Sequence, residues 1–345
     1  MPGEPVPRDL NNLNITLVRT FEYEGMFKIF RILQEHISEH SAPNAVMAHR
    51  KDYIFRKENK MIHVLFNPKA CSGNGETKAK EVAKFYENEE ISYTDTTNIE
   101  NYDETINSIP KSDTIVIAGG DGTLNYLINH VEENTLRNRQ IDYFPAGTGN
   151  DFASELKCKA GELIKDISRY LVDLPTVEVK GKTYKFMNGV GYGIDGYCCE
   201  VGDKLRLESD KPVNYTAIAI KGLLFHFKPL TAKVTIDGKT KTFEKAWLTP
   251  VMNGKMYGGG MIPTPDQERL TSKEDKKLSV LTYCTKSALK ALMVFPSIFK
   301  GEHLLKKDVC GIHTGRDIKI EFSRPCACQI DGETITDVTE IHARV

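Results

Sequence analysis

The stretch Thr114-Ile115-Val116-Ile117-Ala118-Gly119-Gly120-Asp121-Gly122-Thr123-Leu124 decides the fold. After Thr114 every residue up to Ala118 is apolar, the mark of a short strand buried on both faces. The chain then turns through glycine, and helical spacing resumes over 124–131. Upstream, Ile62–Phe66 is another mostly apolar run, closed by Asn67-Pro68. The charged stretch 75–90 carries Ala79, Val82, Ala83 and Tyr86 as one helical stripe. A weaker strand is predicted over 92–96, a helix over 103–109, and a fourth strand over 141–144, ending at Pro145. Strands alternating with helices predict a doubly wound α/β domain with a parallel sheet, spanning 61–154.

The pattern changes after that. Strands with period-two stretches are predicted over 177–179, 183–188, 232–236, 241–248, 278–283, 317–322 and 327–330, with Asp237-Gly238 as a hairpin turn. Helices are expected only as inserts, at 213–225 and 286–299. Residues 155–345 therefore read as a mostly β second domain. Residues 1–60 read as an N-terminal extension, proline-rich at first and with helical periodicity over 20–40. Met47 and Met61 are alternative starts.

A length of 345 residues suits about two domains. Charged residues make up 27% and hydrophobic residues 40%, a globular balance. A net charge of −1 makes the chain as a whole no electrostatic magnet for nucleic acid or an anionic membrane, leaving room only for a local basic patch. No segment reaches the roughly 18 unbroken apolar residues of a membrane span; Lys221, Lys290 and Pro296 interrupt the best candidates. The eight cysteines match no zinc spacing and read as reduced thiols of a cytoplasmic protein.

Three glycine-containing turns follow apolar strands: Asn67-Pro68-Lys69-Ala70-Cys71-Ser72-Gly73-Asn74-Gly75, Gly119–Thr123, and Ala146-Gly147-Thr148-Gly149-Asn150-Asp151. Ligands of open parallel sheets bind just beyond the carboxyl ends of strands. Glycine permits close backbone approach there, and helix N-termini bind phosphate. Three such turns together predict a nucleotide phosphate site. None is a P-loop or a dinucleotide-binding fingerprint. Asp121, set among glycines where phosphates would lie, is explained by a bridging Mg²⁺. Its bland reading is a cap on the helix beginning near Leu124.

Asn67-Pro68, Gly119-Gly120-Asp121-Gly122-Thr123 and Pro145-Ala146-Gly147-Thr148-Gly149-Asn150-Asp151-Phe152-Ala153 together resemble the diacylglycerol kinase catalytic domain family. That family includes bacterial lipid kinases and, more distantly, sphingosine and ceramide kinases. Asn253-Gly254, Gly258-Gly259-Gly260 and Gln329-Ile330-Asp331-Gly332-Glu333 extend the resemblance from about Met61 to Val345. It implies a diacylglycerol kinase/NAD kinase-like α/β domain followed by a β-sandwich-like domain, with ATP in the cleft between them. By resemblance, nucleotide contacts fall to Asn67, Pro68, Lys69, Ala70, Cys71, Thr96, Gly119, Gly120, Asp121, Gly122, Thr123, Leu124, Asn125 and Thr148. Glu333 would be the general base, with Asp331 its neighbour in the site, and Asp121 would hold Mg²⁺. The implied reaction is phosphoryl transfer to a lipid hydroxyl at the membrane surface, with diacylglycerol the default acceptor. A homodimer is left open.

Two departures stand out. A structural Mg²⁺ site in relatives uses Asp-Gly-x-Leu, and the match here is Asp275-Lys276-Lys277-Leu278, with a lysine beside the metal. Only Thr334–Val345 follows Glu333, too little for a segment returning to the first domain. Apolar residues of 213–227 and 288–299, among them Ile218, Leu223, Leu224, Phe225, Phe227, Val294, Ile298 and Phe299, are candidates for lipid access or for ordinary core. Two rival functions share these motifs: an NAD kinase, and a non-catalytic protein that binds nucleotide and lipid.

Overall fold

The structure, a computed structural model, describes residues 60–147, 149–209 and 213–345. The extension expected over 1–60 lies outside the described residues, apart from its last residue. The chain first lays down β1 (Ile62–Phe66), α1 (Ala70–Gly73), α2 (Gly75–Lys80), β2 (Ile91–Asp95), α3 (Tyr102–Ser108) and β3 (Thr114–Gly119). There follow α4 (Asp121–His130), α5 (Glu133–Leu136), β4 (Gln140–Pro145) and α6 (Asp151–Glu155). The four strands form a parallel sheet in the order β2-β1-β3-β4. All six residues of β3 are buried. Ile115 and Ile117 enter one core with Leu124, Leu127 and Ile128 of α4. Val116 and Ala118 enter the other, with Ala79 and Val82. Each buried valine or isoleucine contributes about 1.5–3 kcal/mol, so this strand is a principal anchor of the sheet.

Register aligns the strand ends. Phe66 lies beside Asp95 and Ala118, and Gly119 beside Pro145. The three glycine turns therefore share one edge. Because β2 and β3 lie on opposite sides of β1, the strand order switches direction between β1 and β3, where such sheets bind ligands. Residues after α6 still serve this sheet: Ile164 bridges Tyr143, and Ile167 and Leu171 fill its core.

The remaining strands are β5 (Thr176–Val179), β6 (Lys182–Lys185), β7 (Gly189–Tyr192), β8 (Leu230–Ile236), β9 (Lys239–Leu248), β10 (Val251–Met252), β11 (Leu278–Cys284), β12 (Cys310–Gly315), β13 (Asp317–Ile330) and β14 (Glu333–Arg344). They make one ten-stranded sheet that closes on itself. The closure is the work of β13. Its first half pairs with β8 and its last residues pair with β7, across a register shift near Cys326.

Two sequence expectations need correction here. Helices are not confined to two inserts: α7 (Ile194–Glu208), fifteen residues long, precedes α8 (Tyr215–Lys221), a π-helical turn Gly222–His226 and α9 (Ala288–Val294). Two interior glycines hid α7. A Cβ at Gly196 would sit 2.0 Å from the Ala327 carbonyl oxygen, and one at Gly202 2.6 Å from the Tyr215 ring. The glycines let the helix lie tight on β13 and α8. Second, the strands expected over 317–322 and 327–330 are one bent strand. The tail after Glu333, expected to be too short to return to the first domain, lies in the second sheet as β14, paired with β13 and β5. Among the described residues, no helix is long and apolar enough to cross a membrane.

Candidate functional site

The first turn leaves β1 through Asn67, whose Oδ1 accepts the Lys69 N–H at 2.9 Å and whose carbonyl accepts the Ala70 N–H at 3.0 Å. A Cβ at Gly75 would lie 2.0 Å from the Asn67 carbonyl, so only glycine lets the start of α2 fold back here. Cys71 takes a left-handed φ of 54°, and burial pushes its thiol pKa up. Lys69 is exposed and has no ion-pair partner among the described residues, leaving a free cation at this turn. Pro68 and Ala70 complete the turn half-buried. Thr96 sits just past β2, buried, with its hydroxyl donating to the Phe66 carbonyl at 3.1 Å.

The second and third turns touch through bare backbone. A Cβ at Gly147 would stand 2.4 Å from the Gly120 Cα. Gly119 packs against the Thr123 side chain, and its carbonyl accepts the Tyr143 hydroxyl at 3.1 Å. Leu124 points its side chain into the core, so only its backbone belongs to the turn. Thr148 lies outside the described residues.

Asp121 opens α4, but its carboxylate caps a different helix. Oδ2 accepts the Asp151 N–H at 2.7 Å and Oδ1 the Phe152 N–H at 3.2 Å, holding the start of α6. Burial, then the charge of Asp151, pushes its pKa up to about 7. Asp151 in turn accepts the Gly259 and Gly260 N–H groups at 2.8 and 2.7 Å. Those glycines have φ of 80° and 103°, a backbone that favours glycine.

Asp331 and Gly332, with φ of 49° and 99°, form a two-residue turn between β13 and β14. The hairpin reading of this dipeptide is therefore correct as local structure. The buried Asp331 carboxylate accepts four hydrogen bonds. They come from Asn125 Nδ2 at 3.0 Å and from the N–H groups of Met187, Asn188 and Gly189 at 2.6, 2.8 and 2.9 Å. A carboxylate has about four lone-pair sites, so this one is fully occupied. Burial raises its pKa against the pull of those donors. Asn125 is likewise spent on joining α4 to the hairpin.

Glu333 is the contrast. Its Oε1 lies 3.5 Å from the position a Cβ would take at Gly122, directly over the Gly119–Thr123 turn. It has no hydrogen-bond or ion-pair partner among the described residues. The residue is open to solvent, yet burial around its carboxyl group raises the pKa. The nearby Asp203 charge adds to this and Arg206 opposes it. Glu333 and the residue following Asp121 thus share one crevice.

Sequence reading missed Asp203 and Arg206, because it missed α7. Asp203 accepts the Thr334 hydroxyl at 2.6 Å and pairs with Arg206 at 3.4 Å. It also missed the buried ion pair between Arg269 Nη2 and Glu155 Oε2 at 2.6 Å. Arg269 further donates to the Met187 carbonyl and, at 3.0 Å, to Asn188 Oδ1. No periodicity surrounds Arg269 to mark it. Asp275 lies in an exposed turn, where its carboxylate accepts the Ser272 hydroxyl at 2.7 Å. Among the described residues, no three His, Cys, Asp or Glu side chains gather to hold a metal alone.

Residues 61–178 match the diacylglycerol kinase catalytic domain, and residues 188–344 match the YegS C-terminal NAD kinase beta sandwich-like domain. YtlR of Bacillus subtilis, which carries a provisional lipid-kinase name, is 24% identical over 237 residues, covering 64% of this chain and 73% of its own length. A diacylglycerol kinase of Mycobacterium tuberculosis is 26% identical over 200 residues, covering 56% of this chain and 62% of its own. The crystal structure of a provisionally named diacylglycerol kinase from Bacillus anthracis superposes with a TM-score of 0.56. It is 20% identical and covers 83% of this chain and 92% of that one, a likeness of fold. Matched in order along the chain, residues 61–178 form a domain of the diacylglycerol kinase catalytic domain family and residues 188–344 a YegS-type C-terminal domain.

Proposed function

We propose that this protein is an ATP-dependent lipid kinase, transferring the γ-phosphoryl group to a lipid hydroxyl, with diacylglycerol as acceptor and phosphatidic acid as product. The observation that carries this reading is the unpartnered Glu333 carboxylate, raised in pKa and poised over the glycine turn. A lipid hydroxyl is a weak nucleophile. Glu333 takes its proton as the new O–P bond forms and the bond from γ-phosphorus to the β–γ bridging oxygen breaks, releasing ADP. The turns at Asn67–Cys71 and Gly119–Asn125, with Thr96 and Thr148, hold the nucleotide. Lys69 adds positive charge beside the phosphates. Asp331 positions rather than reacts, since its lone pairs are taken.

The residues present suit Mg²⁺. Asp121 offers a hard carboxylate at the phosphate edge, with lone pairs left after two N–H contacts. Bound there, the ion would neutralise charge on the phosphate oxygens. Asp275, paired with Ser272 and followed by Lys276, offers a second ion little. The acceptor is insoluble, so a chain of this kind meets it at the membrane surface.

The test is incubation of purified protein with γ-labelled ATP and Mg²⁺, with diacylglycerol vesicles in one arm and NAD in the other. Label in the lipid phase as phosphatidic acid is expected. Label in NAD alone, or none from diacylglycerol or a total lipid extract, overturns the reading.

A further inference from the structure

Most side chains named above for lipid access are core. Ile218, Leu223, Phe227, Val294 and Ile298 are all buried. Leu224, Phe225 and Phe299 stay exposed, and Leu224 and Phe225 lie on the π-helical turn after α8, which packs against α9. Phe225 is 75% exposed, Met293 67% and Leu289 61%, with Ile220 and Leu224 beside Phe225 on the α8 side. The exposure is patterned. Helix α9 buries Ala291 and Val294 and turns Leu289 and Met293, four residues apart, outward. Helix α8 buries Ile218 and Ala219, and the π-helical turn tucks Leu223 inward while leaving Leu224 and Phe225 out. Single exposed apolar residues are ordinary, but five on α8, the π-helical turn and α9, with the turn touching both helices, mark a surface for interaction.

We propose that Ile220, Leu224, Phe225, Leu289 and Met293 form the face by which this protein docks on an anionic lipid bilayer. The charge around the face selects that partner. Lys221, Lys228 and Lys286 flank it in sequence, exposed and with no ion-pair partner among the described residues. Lys290, between Leu289 and Met293, pairs with Asp308. A chain with net charge −1 thus sets three unpaired cations beside this exposed apolar face. Such a face matches acyl chains beneath anionic headgroups. It is a poor match for itself: a two-fold contact would set the same lysines against each other. The elements are also short, seven residues in α8 and in α9, and so suited to lying in an interface rather than crossing it. The purpose of this surface rests on the lipid-kinase reading, but its existence does not.

The experiment is co-sedimentation of the full chain with vesicles of phosphatidylcholine containing phosphatidylglycerol. The wild type should bind, less well as salt rises. Phe225→Glu, and separately Leu289→Glu with Met293→Glu, should each weaken binding by about tenfold or more while melting as the wild type does. Because these side chains are exposed, the substitutions open no cavity. Equal vesicle binding by wild type and both variants overturns the proposal. So does a dimer seen by light scattering that Phe225→Glu dissolves, which would assign the face to a second copy. Vesicle binding that the variants abolish, in a protein that phosphorylates no lipid, keeps the docking face and removes the kinase reading.

Discussion

At the end of β3 the chain offers bare backbone, and at the end of β13 it offers carboxylates. Each turn carries an aspartate, and both aspartates are committed to backbone amides: Asp121 to the start of α6, Asp331 to the start of β7. The difference lies in what stands beside them. Gly122 leaves open space above the first turn, and Glu333 leans into that space from the second with no side-chain partner among the described residues. In the second turn the residue with the most hydrogen bonds, Asp331, builds the crevice, and Glu333, with no side-chain partner among the described residues, is the one proposed for chemistry.

Four substitutions would break or sharpen this contrast. The largest effect is expected from Glu333→Gln. Loss of a general base costs about 10²–10⁴-fold in rate, and a side chain without partners should leave the melting temperature unchanged. Wild-type turnover in labelled-ATP assays would end the contrast. Asp331→Asn should do the reverse first. An amide cannot accept from four donors, and each buried donor left unpaired costs about 1–3 kcal/mol. A clear fall in the urea midpoint is expected, and an unchanged midpoint would mean that Asp331 is not the structural member.

A subtler effect is expected in the pH profile. The folded pKa of Glu333 is raised, so the base is lost by protonation at a higher pH than for an ordinary glutamate. Asp203→Asn removes a nearby negative charge, lowers that pKa and should move the acid limb of kcat/KM to lower pH. A limb that stays in place would exclude Asp203 as a tuner. The smallest effect belongs to Gly122→Ala. Its Cβ would meet Glu333 at ordinary contact distance, and the residue is helical, so about 0.4–1 kcal/mol of added stability is expected from thermal unfolding. Gly147→Ala is the control: its Cβ would collide with Gly120.

The parallel sheet was legible because β1, β3 and β4 are short apolar runs and their turns are spelled in glycine. Much of the second domain was not, for local reasons. Helix α7 contains Gly196 and Gly202, which read as breaks until the surfaces they approach are seen. Strand β13 bends through Ser323, Arg324 and Pro325, where its register slips. Strand β14 loses its alternation at Asp337, which takes a left-handed φ of 54°. At the site, residue types were legible but commitments were not. The fourfold occupation of Asp331 is made by residues more than 140 positions away in sequence.

Strand β13 has a consequence for how this protein can change over generations. It is held by β8 below its bend and by β7 above it, and Glu333 follows three residues beyond the Ile330–Val190 pair. Adding or removing one residue between the bend and Gln329 would turn every later side chain to the opposite face. The acid would then swing away from Gly122 although its identity was intact. That short span should be the least editable length in the gene, while the outward helices remain free to drift.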